Sequence, residues 1–128
     1  FIFSASIPPP AAATALAALR VLKNDPGLPQ RLLDLADYMR ASLTRRGVPL
    51  RESTAPIIPI YTYDPFRTLA VNRRLYEEGL YVNCVLPPAA PSGECLLRSS
   101  LMASHTRELI DEASEIIARV LTEFPTEA

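Results

Sequence analysis

Proline placement constrains this chain more than any other feature. Thirteen of its 128 residues are proline; each lacks an amide donor and fixes φ at about −65°, so helices begin at prolines and sheet interiors avoid them. Pro8-Pro9-Pro10 ends a short apolar stretch over residues 1–7, an extended arm or strand, and opens an alanine-rich helix. Leu16, Leu19 and Leu22 recur there at helical spacing, and Asn24-Asp25-Pro26-Gly27 stops it. A second helix is expected from about residue 29 to 46, with Leu32, Leu35, Ala36, Met39 and Leu43 as its buried stripe and Gly47 as its C-terminal cap. Residues 57–63 read as a strand, but Pro59 confines it to an edge or an irregularity.

Asp64-Pro65 supplies the N-cap and first residue of a third helix, which carries Leu69 and Tyr76 and ends at Gly79. Residues 80–85 read as a strand, residues 87–93 as a proline-rich loop and residues 95–102 as another strand. Thr106 is placed to cap a last helix, where Leu109, Ile110, Ala113, Ile116, Ile117, Val120 and Leu121 give the clearest amphipathic pattern. This order predicts an α+β fold, a small mostly antiparallel sheet with helices packed on one face. Neither a repeat nor a linker divides it, so one domain is expected.

Composition narrows the function classes. With 48% hydrophobic residues and a formal net charge of −1, the chain is no disordered tail and has no overall field to attract nucleic acid or an anionic membrane. No apolar run approaches the roughly 20 residues of a membrane span, and no signal peptide is recognisable, so a cytoplasmic location is expected. Two cysteines exclude a disulfide scaffold and a four-cysteine zinc site. The chain opens on Phe1-Ile2-Phe3, more apolar than a terminus usually is, and is expected to be a piece of something longer.

Few residues carry chemistry. His105 has no second histidine, carboxylate or thiol at ligand spacing, and reads as a residue just outside a helix cap; no metal site is expected. Cys84 and Cys95 lie on consecutive expected strands and read as free, buried thiols that could be neighbours. Arg45-Arg46 and Arg73-Arg74 lack interleaved aromatics and read as solvated helix faces. Four scattered glycines make no phosphate loop. Arg98 stands apart, because it interrupts the otherwise apolar strand that follows the proline loop. A guanidinium in a buried strand needs an anion. Its fork suits a carboxylate held by two parallel hydrogen bonds, either a ligand's or that of an acidic residue in a structural ion pair.

The run Phe1-Ile2-Phe3-Ser4-Ala5-Ser6-Ile7-Pro8-Pro9, followed by an alanine-rich helix, resembles the segment after the cofactor lysine in the α-oxoamine synthases. Pro87-Pro88-Ala89-Ala90-Pro91, Gly93, Leu96-Leu97-Arg98, Ala103 and His105-Thr106 resemble the C-terminal domain of the same enzymes, and the proline loop looks most like the serine palmitoyltransferase branch. The resemblance spans essentially the whole chain. It implies the small C-terminal domain of a pyridoxal-phosphate-dependent, aminotransferase-like fold: an arm over residues 1–7, a connecting helix over 8–24 and an α+β body over 28–124. It also implies a homodimer. The family joins an amino acid to an acyl-CoA or related acyl thioester with loss of carbon dioxide. By the same resemblance Arg98 would grip the amino acid's carboxylate, Ser4, with Ala5 beside it, would reach the cofactor phosphate across the dimer, and the proline loop would be a mobile segment at the active-site mouth.

Two departures matter. Leu86 stands where serine palmitoyltransferases tend to carry a second arginine, and the Schiff-base lysine of the family is not matched, because Lys23 is the one lysine and lies near the end of a helix. No catalytic residue is therefore expected in these 128 residues, and the isolated chain is expected to be inactive. The alternative class is a non-catalytic binding module with Arg98 in a structural ion pair. A severed domain would expose the apolar arm, whereas an evolved module would bury it.

Overall fold

The computed structural model describes residues 6–125. Four helices and three strands follow one another as α1 (Pro9–Asn24), α2 (Leu28–Arg45), β1 (Ile57–Tyr63), α3 (Pro65–Glu77), β2 (Asn83–Val85), β3 (Cys95–Ser100) and α4 (Arg107–Glu123). Element types and order are those expected from the sequence.

Local chemistry sets the boundaries. The Asp64 carboxylate accepts from the Arg67 amide at 2.8 Å, ahead of Pro65 in the first turn of α3. Thr106 Oγ1 accepts from the Leu109 amide at 3.3 Å and starts α4. Gly47 takes φ 80° and its amide bonds Thr44 O, while the Val48 amide reaches back to Leu43 O. This paired closure needs a left-handed residue, which glycine adopts without strain. Gly79 repeats it after α3, with the Leu80 amide on Leu75 O.

The sheet is antiparallel, in the order β1-β3-β2, so the last strand of the chain is the central one. Pro59 lies on edge strand β1, as its missing donor requires. Ile58, Ile60 and Thr62 of β1 and Cys95, Leu97 and Ser99 of β3 are buried, and their alternate neighbours are not. Helices α2, α3 and α4 cover the buried side, where Met39, Leu43, Val71, Leu75, Ile110, Ile117 and Val120 complete the core.

Several expectations need correction. Strand β3 is half-buried, not wholly apolar in its surroundings, and Arg98 is exposed. Strand β2 is three residues long: Leu80 belongs to the helix closure, and Val82 O accepts from Asn72 Nδ2 at 2.9 Å instead of from a strand. Strand β3 ends at Ser100 because Met102 turns to meet His105. Leu69 and Tyr76 are named on α3 from the sequence without a burial assignment; the structure buries Thr68, Val71 and Leu75 there and leaves those two facing outward. Cys84 is opposite Leu97 and Cys95 is opposite Tyr63, so the thiols are not cross-strand partners. Helix α1 needs no such correction: it is the surface helix expected, burying no residue, with Leu16, Leu19, Val21 and Leu22 all exposed.

Candidate functional site

The open face of the sheet carries every second residue of each strand. Ile57, Pro59, Tyr61 and Tyr63 come from β1, Leu96, Arg98 and Ser100 from β3, and Asn83 and Val85 from β2. Arg98 lies on the middle strand, between Pro59 on one flank and Asn83 on the other. It is the one arginine on a strand.

Most other arginines are engaged. Arg31, Arg40, Arg51, Arg73, Arg74 and Arg119 form ion pairs. Arg67 donates to Phe124 O and Thr62 O, Arg46 to Ser42, and Arg107 lies over the Tyr38 ring. Arg98 has no ion pair, hydrogen bond or ring partner among the described residues. The structural ion pair is therefore not formed there. Exposure explains how the guanidinium stands unpaired, since water solvates it.

An aromatic and cationic cluster adjoins this face. The Tyr61 and Tyr63 rings stack with centroids 5.9 Å apart, and the Arg51 guanidinium sits 3.8 Å from the Tyr61 centroid. Arg51 also pairs with Glu94 at 3.2 Å, which joins the sheet to the end of the proline loop. Glu94 and the stacked Tyr61 hold Arg51 in place, and hydrogen bonding to Glu94 raises its pKa further. Within the loop the Ala89 and Ala90 amides both bond Leu86 O, and Ala90 is buried. Tyr63 has φ 65°, and the Asp64 amide bonds Thr62 O across it at 2.8 Å, a tight turn that strains a non-glycine residue.

The remaining expected sites separate from Arg98. Ser4 and Ala5 lie outside the described residues. Lys23 is exposed in the last turn of α1, a helix with no buried residue, so Lys23 is not brought to the sheet. His105 Nδ1 accepts from the Met102 amide at 3.3 Å and lines a cleft of about 290 Å³ that Arg98 does not share. The Cys84 thiol points at Thr68 O, and burial pushes its pKa up. No three His, Cys, Asp or Glu side chains converge as metal ligands among the described residues, and no described helix is long and apolar enough to cross a membrane. Among the described residues Lys23 is remote from the sheet, and the open face carries the exposed guanidinium of Arg98 at its centre.

Sequence reasoning passed over Arg51, Tyr61, Tyr63 and Asn83. The period-two pattern of residues 57–63 holds the signal for the tyrosines, whereas Asn83 joins the site through strand register, which no local pattern encodes.

Comparison with known proteins supplies the family. The model of aminotransferase class I and II matches residues 1–117. The chain belongs to this family. Within the aminotransferase class I and II family it is 37% identical over 128 residues to an 8-amino-7-oxononanoate synthase of Xylella fastidiosa, covering 100% of this chain and 32% of that enzyme. It is 39% identical over 118 residues to a serine palmitoyltransferase of Bacteriovorax stolpii, covering 92% of this chain and 28% of that one. The structure of Sphingomonas wittichii serine palmitoyltransferase superposes with TM-score 0.84 at 32% identity, over 97% of this chain and 32% of the other. A structure of SPT with pyridoxal phosphate as internal aldimine gives TM-score 0.86 at 31% identity, over 96% of this chain and 31% of that one. These relatives belong to the α-oxoamine synthases that the sequence resembles. This class I and II chain spans about a third of the length of the relatives it matches.

Proposed function

We propose that this chain is the C-terminal small domain of a pyridoxal-phosphate-dependent acyl-CoA:amino-acid C-acyltransferase, and that Arg98 receives the α-carboxylate of its amino-acid substrate. The observation that supports this is the unpaired guanidinium on the central strand of an open sheet face. In this reading residues 1–7 are the arm, 8–24 the connecting helix and 28–124 the body of the domain. The parent enzyme is a cytoplasmic homodimer, Ser4 and Ala5 lie near the cofactor phosphate, and an acyl-CoA or acyl-carrier thioester is the second substrate.

Pyridoxal phosphate, when bound, supplies the electron sink that loosens bonds at the amino acid's α-carbon. This chain's contribution is positional. The Arg98 fork takes both carboxylate oxygens and fixes which α-carbon bond faces the reacting groups. The Arg51–Glu94 pair and the Tyr61 ring anchor the proline loop beside that face. With Lys23 as its one lysine, on a helix with no buried residue, the isolated chain is expected to release no CoA thiol.

Kinetics of the longer enzyme test the reading. A charge-assisted hydrogen-bonded pair contributes about 1.5–3 kcal/mol, so Arg98→Ala is expected to lower kcat/KM for the amino acid by about tenfold to a hundredfold. Unchanged kinetics with a lowered melting temperature would assign Arg98 to stability and overturn it. The coding sequence upstream of Phe1 is expected to encode a lysine within a small-residue loop; its absence would remove the enzyme reading.

A further inference from the structure

The two cross-strand neighbours of Arg98 differ in chemistry. Pro59 pairs with it from β1 and Asn83 from β2. Residues directly opposite in an antiparallel pair share a face, with Cβ atoms about 4.5–5.5 Å apart. The Pro59 ring offers no polar atom. Asn83 offers a carboxamide, with two N–H donors and one acceptor oxygen.

That amide is almost unspent. Asn83 is half-buried, and among the described residues its side chain makes one hydrogen bond, from Nδ2 to Tyr81 Oη at 3.5 Å. A bond that long is weak, so Nδ2 is free to turn to a better acceptor. The backbone that carries it is not free, because β2 is held to β3 from Asn83 to Val85. A neutral donor thus stands at fixed register beside an unpaired guanidinium.

We infer that Asn83 is a second carboxylate-binding residue, whose Nδ2 donates to an oxygen of the anion that Arg98 grips. The inference rests on the reading of Arg98 as a carboxylate receptor and deepens it. An ionised carboxylate presents about four acceptor sites, and the arginine fork uses two of them. A lateral donor on the β2 side takes a third, while the Pro59 ring closes the β1 side to polar contact. The carboxylate is therefore held off-centre, toward β2. Amide rather than acid is essential to this arrangement: an aspartate of the same shape would pair with Arg98 and repel the substrate.

The test uses the full-length holoenzyme and two probes, the amino-acid substrate and the amine it would become on losing its carboxylate. Asn83→Ala is expected to raise the Kd of the amino acid about tenfold, and Asn83→Asp to raise it further. Neither substitution should change the Kd of the amine. Asn83→Asp keeps the side-chain shape, so it serves alone should the alanine variant fail to fold. Equal losses for amino acid and amine would make Asn83 a structural residue and overturn the inference. An unchanged amino-acid Kd in both Asn83 variants, with Arg98→Ala still weakening it, would overturn the inference and leave the Arg98 reading standing. No effect from Arg98→Ala would overturn both.

Discussion

The Tyr38 hydroxyl donates a 2.6 Å hydrogen bond to Asp111 Oδ2, tying α2 to α4. Ser42, one turn further along α2, donates to Oδ1 of the same carboxylate at 3.0 Å. Arg46 Nη1 in turn donates to Ser42 Oγ at 2.6 Å, so the buried hydroxyl both gives and receives. Tyr38 first, then Ser42 and the nearby Arg46 and Arg45, hold the Asp111 carboxyl below the ordinary carboxylate range.

Tyr38→Phe keeps the ring and removes the donor, so it is expected to lower the melting temperature modestly. Asp111→Ala is expected to lower it more, because buried Ser42 then loses its acceptor. Thermal unfolding of both variants and their double mutant checks this, with the double falling short of the sum.

Acid sensitivity follows from four depressed carboxyls, Asp25, Glu78, Glu108 and Asp111, of which Glu78 and Asp111 tie separate elements together. Arg119 and then Arg74 hold Glu78 down through hydrogen bonds. A carboxyl with a lowered folded pKa contributes stability above its unfolded pKa and loses it as pH falls through the folded value. Denaturant midpoints are expected to be level from neutrality to about pH 5 and to drop below about pH 4. Glu78→Gln is expected to flatten part of that drop, and added salt to blunt the part due to Glu78, whose partners Arg74 and Arg119 both reach solvent.

Thr62 and Thr68 are both fully buried, with hydroxyl oxygens 2.6 Å apart. Thr68 Oγ1 also bonds Asp64 O at 2.6 Å, at the start of α3. Thr68→Val preserves volume but strands the Thr62 hydroxyl, and is expected to cost about 1–3 kcal/mol. A chemical-denaturation series measures this; a cost near zero would mean that Thr62 is satisfied by Cys95 O, 3.3 Å away.

Alkylation reports the state of the thiols. Burial raises the Cys84 pKa, and Cys95 is fully buried. At neutral pH, iodoacetamide is expected to modify Cys84 slowly and Cys95 more slowly still, with both labelled at once in denaturant. Mass spectrometry over a time course separates the two sites.

Much of the fold is legible because its boundaries are local events. Pro65, Asp64, Thr106 and Gly47 act within a turn of where they stand, and the sequence locates each element they bound. Burial and register are not local. Cys95-Leu96-Leu97 reads as an apolar run, yet the pleat sends Leu96 and Arg98 to the open face. Leu69 and Tyr76 suit a core by composition, but α3 turns Thr68, Val71 and Leu75 inward instead. The insertion of β3 between β1 and β2 brings Asn83, Arg98 and Pro59 into one row, and that order is a property of the whole chain.

Helix α1 has sixteen residues and none of them is buried. A helix of that length that buries no side chain sits near the limit at which isolated helices persist, supported here by an alanine-rich sequence. Its amide protons are therefore expected to exchange with deuterium at the pace of local fraying. Those of β3, hydrogen-bonded on both sides, wait for the body to open as a whole. Such a pattern would divide one polypeptide into two cooperative units, the first melting while the second keeps the row that holds Arg98.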